Sequence, residues 1–267
     1  MYTSSFRYLR ATSLAEAEAL FARTPDARYI AGGQTLIPTM KQRLAAPAAL
    51  IDLSRIAASS FIRRERETLV IGSGTRHADV ATSSEVRAVL PALAQLAGVI
   101  GDPAVRHRGT LGGSVANNDP AADYPAAVLA LGATVKTTRR TIAADQFFAG
   151  LFQTALADGE LISEITFPVP LRAGYAKFPH PASRYALVGV FVAQFDGGAR
   201  VAVTGAAPCV FRVAKMEQAL SKSFTPESFA GIAVDAGELN SDLFGSAEYR
   251  AHLVTVMAKR AVTAALS

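Results

Sequence analysis

The sequence predicts an α+β protein: two α/β lobes, at about residues 1–55 and 56–170, followed at 171–267 by an antiparallel sheet with helices. Three observations carry this. Short strand-like runs alternate with helix-period segments through the first 170 residues. Prolines then crowd the stretch "FPVPLRAGYAKFPHP", at Pro168, Pro170, Pro179 and Pro181, as at a domain boundary. Beyond it, the β-branched runs "ALVGVFVAQF" and "RVAVTGAA" flank the hairpin signal Asp196-Gly197-Gly198.

In chain order, "SLAEAEALFAR" opens with a capping box, Ser13 and Glu16, and places Leu14, Ala17, Leu20 and Phe21 on one helical face. Thr24, Pro25 and Asp26 end it. "ARYIA" reads as a short strand entering Gly32-Gly33, and Leu36 to Leu44 as a helix that tolerates Pro38 only in its first turn. "ALIDL", residues 49–53, reads as a buried strand. The second lobe begins with the strand "TLVIGS", turns through "GTRHAD", and continues as a helix over residues 83–97. Residues 101–125 form a long glycine-, proline- and asparagine-rich passage, the kind that in a compact domain is usually functional. The helix "AAVLALGA", the strand "TVKTT" and the segment "ELISEITFPVP" complete the lobe. After the hairpin the chain reads as helices, including Ala247 to Leu266.

Composition excludes several classes. The 27 Lys and Arg against 22 Asp and Glu are scattered, so the +5 charge suits an anionic ligand without indicating nucleic acid. Cys209 is the only cysteine, which excludes an internal disulfide, a thiolate zinc site and an iron–sulfur cluster built by this chain alone. His77, His107, His180 and His252 lack metal-ligand spacing, and no hydrolytic triad is visible, so neither catalytic nor metal-ligating residues are assigned. With no signal-peptide pattern and no run of about 18 apolar residues, the expectation is a soluble cytoplasmic protein without membrane insertion.

The chemistry concentrates in "AGGQTLIPTMKQRL", which starts at Ala31, and "GTLGGSVANND", residues 109–119. Each places paired glycines before a helix. Two such segments present backbone N–H groups and helix N-termini to one anionic group, which suits a pyrophosphate; two unrelated tight turns give the same pattern. Neither common nucleotide fingerprint applies: "IGSGT" lacks the third glycine of G-x-G-x-x-G, and no G-x-x-x-x-G-K-[ST] occurs.

Taken with "RGTLGGSVANNDPAADYPAAVLAL", these segments resemble those of the FAD-binding medium subunits of molybdenum hydroxylases, a family that includes CO dehydrogenase and the xanthine dehydrogenase flavin domain. The resemblance spans essentially the whole chain. It implies a para-cresol methylhydroxylase-like (PCMH-like) FAD domain over 1–170 and a CO dehydrogenase flavoprotein-like C-terminal domain over 171–267. It further implies non-covalent FAD, with Ala31, Gly32, Gly33, Gln34, Thr35 and Leu36 on one side of the pyrophosphate. Thr110, Leu111, Gly112, Gly113 and Ser114 lie on the other, with Asn117 and Asp123 nearby. Asp123 alternatively caps the helix beginning near Tyr124.

By the same resemblance, a strand around Leu161 and Ile162 lines the isoalloxazine; the alternative for those residues is ordinary core. Lys177 lies near the flavin and Tyr185 covers it, or else packs in the C-terminal core. Three positions depart from the family pattern: Thr35 replaces serine, Ser114 replaces asparagine, and Arg184 stands where an acidic residue is common. The implied activity is electron transfer within an oxidoreductase whose organic substrate is handled elsewhere. Its partners are an iron–sulfur small subunit with [2Fe-2S] clusters and a large subunit with the molybdenum cofactor, arranged as a dimer of heterotrimers. The terminal acceptor is NAD, a quinone or oxygen. A stand-alone flavin- or nucleotide-binding module is the alternative.

Overall fold

In the computed structural model, which describes residues 2–267, the chain opens with β1 (Arg7–Arg10), α1 (Leu14–Ala22), β2 (Ala27–Ile30), α2 (Leu36–Lys41) and β3 (Ala49–Asp52). The Ser13 hydroxyl accepts the Glu16 N–H at 3.1 Å, while the Glu16 carboxylate reaches back to the Thr12 N–H at 2.8 Å. Both ends of the α1 entrance are thereby satisfied. The strands form a parallel sheet in the order β1-β3-β2, with the central β3 buried along its whole length. β1, "RYLR", is an edge strand that is mostly exposed, which is why no apolar run marks it in the sequence. Pro38 sits in the first turn of α2, where its missing N–H costs no helical bond.

The second lobe comprises β4 (Ile62–Glu65), β5 (Thr68–Gly72), α3 (His77–Thr82), α4 (Ser84–Val89), α5 (Pro91–Gly98), α6 (Pro103–Arg106), α7 (Leu111–Asn117) and α8 (Tyr124–Ala130). It continues with β6 (Thr134–Thr137), β7 (Thr141–Ala143), α9 (Ala144–Phe147), β8 (Phe148–Gly150), β9 (Gln153–Thr154) and β10 (Ile162–Pro168). A five-stranded antiparallel sheet, β4-β5-β10-β6-β7, forms its floor. The helix expected over 83–97 is two helices. Pro91 drives Leu90 out of the helical region, to φ −147°, and then serves as the first residue of α5. The passage 101–125 is not a continuous loop, because α6 and α7 form within it. The second glycine pair lies inside the first turn of α7 rather than ahead of it.

The last unit contains β11 (Arg172–Pro179), β12 (Ala186–Phe195), β13 (Gly198–Thr204), β14 (Phe211–Arg212), α10 (Ala214–Lys222) and α11 (Ala247–Leu266). Its strands pair antiparallel in sequence order. Phe195 faces Gly198, which leaves Asp196 and Gly197 as a two-residue hairpin loop. The proline-rich stretch is mostly strand: Pro168 ends β10, Pro179 ends β11, and only residues 169–171 lie between them. The expectation of helices after the hairpin holds for α10 and α11, whereas residues 231–246 are irregular.

β12 is covered on both faces, which explains its unbroken apolar run. Val188, Val190 and Val192 join Met257, Ala258 and Ala261 of α11 in one core. Phe191 and Ala193 belong to the core of the second lobe, with Leu93, Tyr124 and Ala127. A Cβ at Gly174 would fall 2.0 Å from the Ala261 carbonyl oxygen, so β11 and α11 meet backbone to backbone. The last unit also holds the turn between α7 and α8. The Thr204 hydroxyl donates to the Ala122 carbonyl at 2.6 Å, the Gly205 N–H to Pro120 at 2.7 Å, and the Ala186 N–H to Ala121 at 3.2 Å.

Candidate functional site

All three units contribute to one cleft of about 1430 Å³, lined by residues 28–36, the start of α7, the segment 156–162 and residues 182–185. Cavities for drug-sized ligands usually hold about 300–1,000 Å³, so this one has room for an extended dinucleotide. β2 delivers the first glycine segment and α7 begins with the second. They meet. A Cβ on Gly32 would lie 2.3 Å from the Arg108 carbonyl oxygen and 2.6 Å from the Gly109 Cα, and one on Gly113 would lie 3.9 Å from the Ala31 Cβ. Gly33 has φ +71°, the left-handed conformation that turns the chain from β2 toward α2.

The two segments differ in what they offer a ligand. Among the described residues, the N–H groups of residues 32–36 donate to no protein acceptor. In α7, by contrast, the Leu111 N–H donates to Thr75 at 2.9 Å, the Gly112 N–H to Ser73 at 2.8 Å and the Gly113 N–H to the Thr110 hydroxyl at 3.1 Å. Gly112 serves packing: its Cβ would meet the Ser73 carbonyl oxygen at 2.8 Å. The first segment therefore supplies the free backbone donors, and the second supplies a close, side-chain-free wall through Gly113. A pyrophosphate fits this arrangement.

Of the residues singled out in the sequence, all but Leu111 and Lys177 line the cleft. Leu111 is fully buried in the second lobe's core, because the first turn of α7 points it at the sheet. Ser114 and Asn117 follow on the cleft side of α7, and Ile162 lines the cleft at the start of β10. Asp123 does not cap α8; its backbone is already helical and no cap hydrogen bond forms. Its carboxylate instead meets the Lys177 ammonium at 2.9 Å and accepts the Tyr175 hydroxyl. Lys177, which also donates to the Val99 carbonyl at 2.9 Å, thus stands behind Asp123. Burial pushes the Asp123 carboxyl up, and Lys177 and Tyr175 oppose the push. Tyr185 is 43% exposed at the rim. Burial raises its hydroxyl first, and the carboxylates of Asp119 and Asp123 add to the rise.

Sequence reasoning missed the wall formed by residues 156–160, which leads into the expected Leu161 and Ile162. Asp158-Gly159 is a turn signal that marks it. Gly159 has φ +71°, and its carbonyl accepts the Tyr29 hydroxyl at 3.1 Å. Glu160 fixes the turn: hydrogen bonds from Arg140, then Thr137 and the Ala157 N–H, hold its carboxyl down at about 2. His77 was also missed as a site residue. Its backbone N–H donates to the Gly109 carbonyl at 3.0 Å, its ring lies against Gly109, and burial, with the nearby Arg106 charge, lowers its pKa to about 4. His77 is therefore neutral at pH 7.

Comparison with known proteins accounts for the whole chain. Residues 4–170 match the family described as FAD binding domain in molybdopterin dehydrogenase, and residues 173–265 match the CO dehydrogenase flavoprotein C-terminal domain. The chain is 37% identical to the carbon monoxide dehydrogenase medium chain of Hydrogenophaga pseudoflava, across 99% of this chain and 98% of that one. It is 34% identical to the nicotine 6-hydroxylase medium subunit of Paenarthrobacter nicotinovorans, across 99% of both. Among solved structures, reconstituted CO dehydrogenase from Oligotropha carboxidovorans superposes with a TM-score of 0.91 at 33% identity, covering 99% of both chains. With two glycine segments converging on a dinucleotide-sized cleft and relatives matched over their full length, the chain belongs to the family of FAD-binding medium subunits of molybdopterin dehydrogenases.

Proposed function

We propose that this chain is the FAD-binding electron-transfer subunit of a molybdenum-containing hydroxylase, taking electrons from [2Fe-2S] clusters of a partner subunit and passing them to an external acceptor. The observation that carries the proposal is the convergence of residues 31–36 and 110–114 on one wall of the cleft. FAD, when bound, supplies the exchange between one-electron carriers and a two-electron acceptor. The chain's own residues bind and orient it. The N–H groups of residues 32–36 hold the pyrophosphate, Ser114 and Asn117 offer side-chain hydrogen bonds, Ile162 lines the flavin and Tyr185 covers it at the rim. Asp123 contributes from the α8 end, and Lys177 acts through it.

One cysteine cannot ligate a cluster, so the [2Fe-2S] relay falls to a partner, in this proposal an iron–sulfur small subunit beside a large subunit with the molybdenum cofactor. The isolated chain is accordingly expected to leave organic substrates untouched. The proposal further takes 1–170 as the FAD domain and 171–267 as the C-terminal domain, a dimer of heterotrimers as the assembly, and the cytoplasm as its compartment. No helix among the described residues is long and apolar enough to cross a membrane.

Acid precipitation tests the cofactor assignment. About one FAD per chain is expected in the supernatant. Colour retained in the pellet, or FMN in its place, contradicts non-covalent FAD held through its pyrophosphate. Tyr185→Ala tests the rim. Because the ring is half exposed, the variant is expected to change flavin fluorescence and to shift the rate of reoxidation by oxygen several-fold, with little change in melting temperature. A lowered melting temperature with both flavin observables unchanged would return Tyr185 to the core.

A further inference from the structure

His77 sits directly behind the joint between the two glycine segments, where the function proposed above gives it no task. The turn that carries it pairs with the second segment rung by rung. The Gly112 N–H donates to Ser73, the Leu111 N–H to Thr75, and the His77 backbone N–H returns a bond to Gly109 at 3.0 Å. The side chain adds a contact of its own. A Cβ on Gly109 would lie 2.5 Å from the His77 Nε2 and 2.8 Å from its Cδ2, so the imidazole touches the Gly109 backbone directly. On its other side the ring meets that of the fully buried Tyr124, with centroids 5.3 Å apart. The Gly109 Cα in turn lies 2.6 Å from where a Cβ of Gly32 would stand. Tyr124, His77, Gly109 and Gly32 thus form one continuous stack from the core of the second lobe to the cleft wall.

An apolar ring would pack here as well, and what histidine adds is a buried nitrogen. His77 is 5% exposed, and its Nδ1 has no hydrogen-bond partner among the described residues; the Tyr124 hydroxyl has none either. A second ring proton would place an N–H on both nitrogens, leaving a buried donor and a charge at Nδ1 with nothing to receive them. The surroundings offer no relief. Arg76 and Asp79 come from its own turn and helix, and Arg106, His107 and Arg108 from α6 and the residues after it, while α5 has no charged residue. The Asp123 carboxylate, beside Tyr124 on α8, is held by Lys177 and Tyr175. Of these charges it is that of Arg106 that acts on the ring, and it opposes protonation as burial does.

Resting on the flavin reading above, we infer that His77 is a positioning residue for FAD: its neutral ring braces the Gly109 backbone against Gly32, and a proton taken up by the ring withdraws the brace and lets the two glycine segments part. Burial and the Arg106 charge hold the pKa of the braced ring at about 4, below the ordinary 6.5. A parted state that wets the ring therefore takes the proton first, and it gains on the braced state as pH falls from 7 to 5.

The test follows the release of FAD from the full FAD-loaded chain, by flavin fluorescence after dilution, at pH 7 and pH 5, with circular dichroism to show that each chain stays folded. Release from the parent should quicken about ten-fold on acidification. His77→Phe keeps a ring of similar shape that cannot titrate, and it should release FAD slowly at both pH values. Gly109→Ala should release FAD about ten-fold faster than the parent at pH 7, because its methyl meets the His77 Nε2. Combining it with His77→Ala vacates the space the methyl needs and should recover most of the loss. The inference is overturned if the parent shows no pH dependence, if His77→Phe keeps the dependence of the parent, or if the double variant loses FAD as fast as Gly109→Ala alone. A parent chain that binds no FAD at pH 7 overturns the flavin reading and this inference with it, whereas the other outcomes overturn this inference alone.

Discussion

Gly32→Ala is expected to strip the protein of FAD while leaving it folded. The added methyl would sit 2.3 Å from the Arg108 carbonyl oxygen, 2.7 Å from the Arg108 carbonyl carbon and 2.6 Å from the Gly109 Cα, all backbone atoms that cannot rotate away. Restoring ordinary contact requires the two glycine segments to part by roughly 1 Å. Parting opens the wall proposed to face the pyrophosphate. The strain, about 1–3 kcal/mol, falls at the rim of the cleft and not in a core. Flavin content, read as the ratio of 450 nm to 280 nm absorbance, should drop about ten-fold or more, with circular dichroism preserved. Gly197→Ala is the control, since nothing lies within 4 Å of its added Cβ. Gly112→Ala should behave differently, because its methyl meets Ser73 and wedges α7 away from the end of β5, lowering the melting temperature as well. Stoichiometric FAD in Gly32→Ala would mean that the convergence of the two segments does not matter to binding.

Lys177→Met is expected to produce the largest loss of stability. Lys177 and Asp123 have side chains 6% and 4% exposed, and removing the cation leaves a carboxylate buried without its counter-ion. Breaking such a pair from one side costs about 3–5 kcal/mol. For a chain of this size that corresponds to a fall of roughly 10 °C in melting temperature. The pH dependence has a definite sign. Burial already raises the Asp123 carboxyl, and without Lys177 that push is less opposed. A carboxyl raised in the folded state favours folding at low pH and loses that contribution as pH rises through the folded value. The gap between variant and parent should therefore be widest at alkaline pH and shrink on acidification. Adding Asp123→Asn to the variant should recover much of the loss, since a neutral amide needs no counter-ion. A melting temperature within 2 °C of the parent at pH 8 would show that the pair contributes little.

Much of this was readable from local chemistry. Ser13, the Gly32-Gly33 pair, the Asp196-Gly197 hairpin and the helix from Ala247 to Leu266 each obey short-range rules of capping, turning or periodicity, and they appear where those rules put them. The misses came from long-range causes. Asp123 has the composition of a helix cap, but Lys177 and Tyr175, more than fifty residues away in sequence, claim its carboxylate. Leu111 lies between site residues yet faces the core, since only the helical turn of α7 decides which side chains see the cleft. β11 hid among prolines because its pairing with β12, not its composition, makes it a strand. The N–H groups of Leu111 and Gly112 looked free in the sequence, and Thr75 and Ser73 take them only after β5 and α7 have met.

The double-sided burial of β12 bears on the order in which the protein can be made. Phe191 and Ala193 belong to the core of the lobe that precedes them, and the turn at 120–122 is fastened by Ala186, Thr204 and Gly205. A nascent chain that has left the ribosome only as far as residue 170 therefore has every glycine of the cleft but lacks the apolar cover over α8 and the clasp on the turn beside it. Loading with FAD should wait until about residue 205 has emerged. A chain released at 170 is expected to collect little flavin, however much of it is supplied during synthesis, while one released after α11 should take up its full complement.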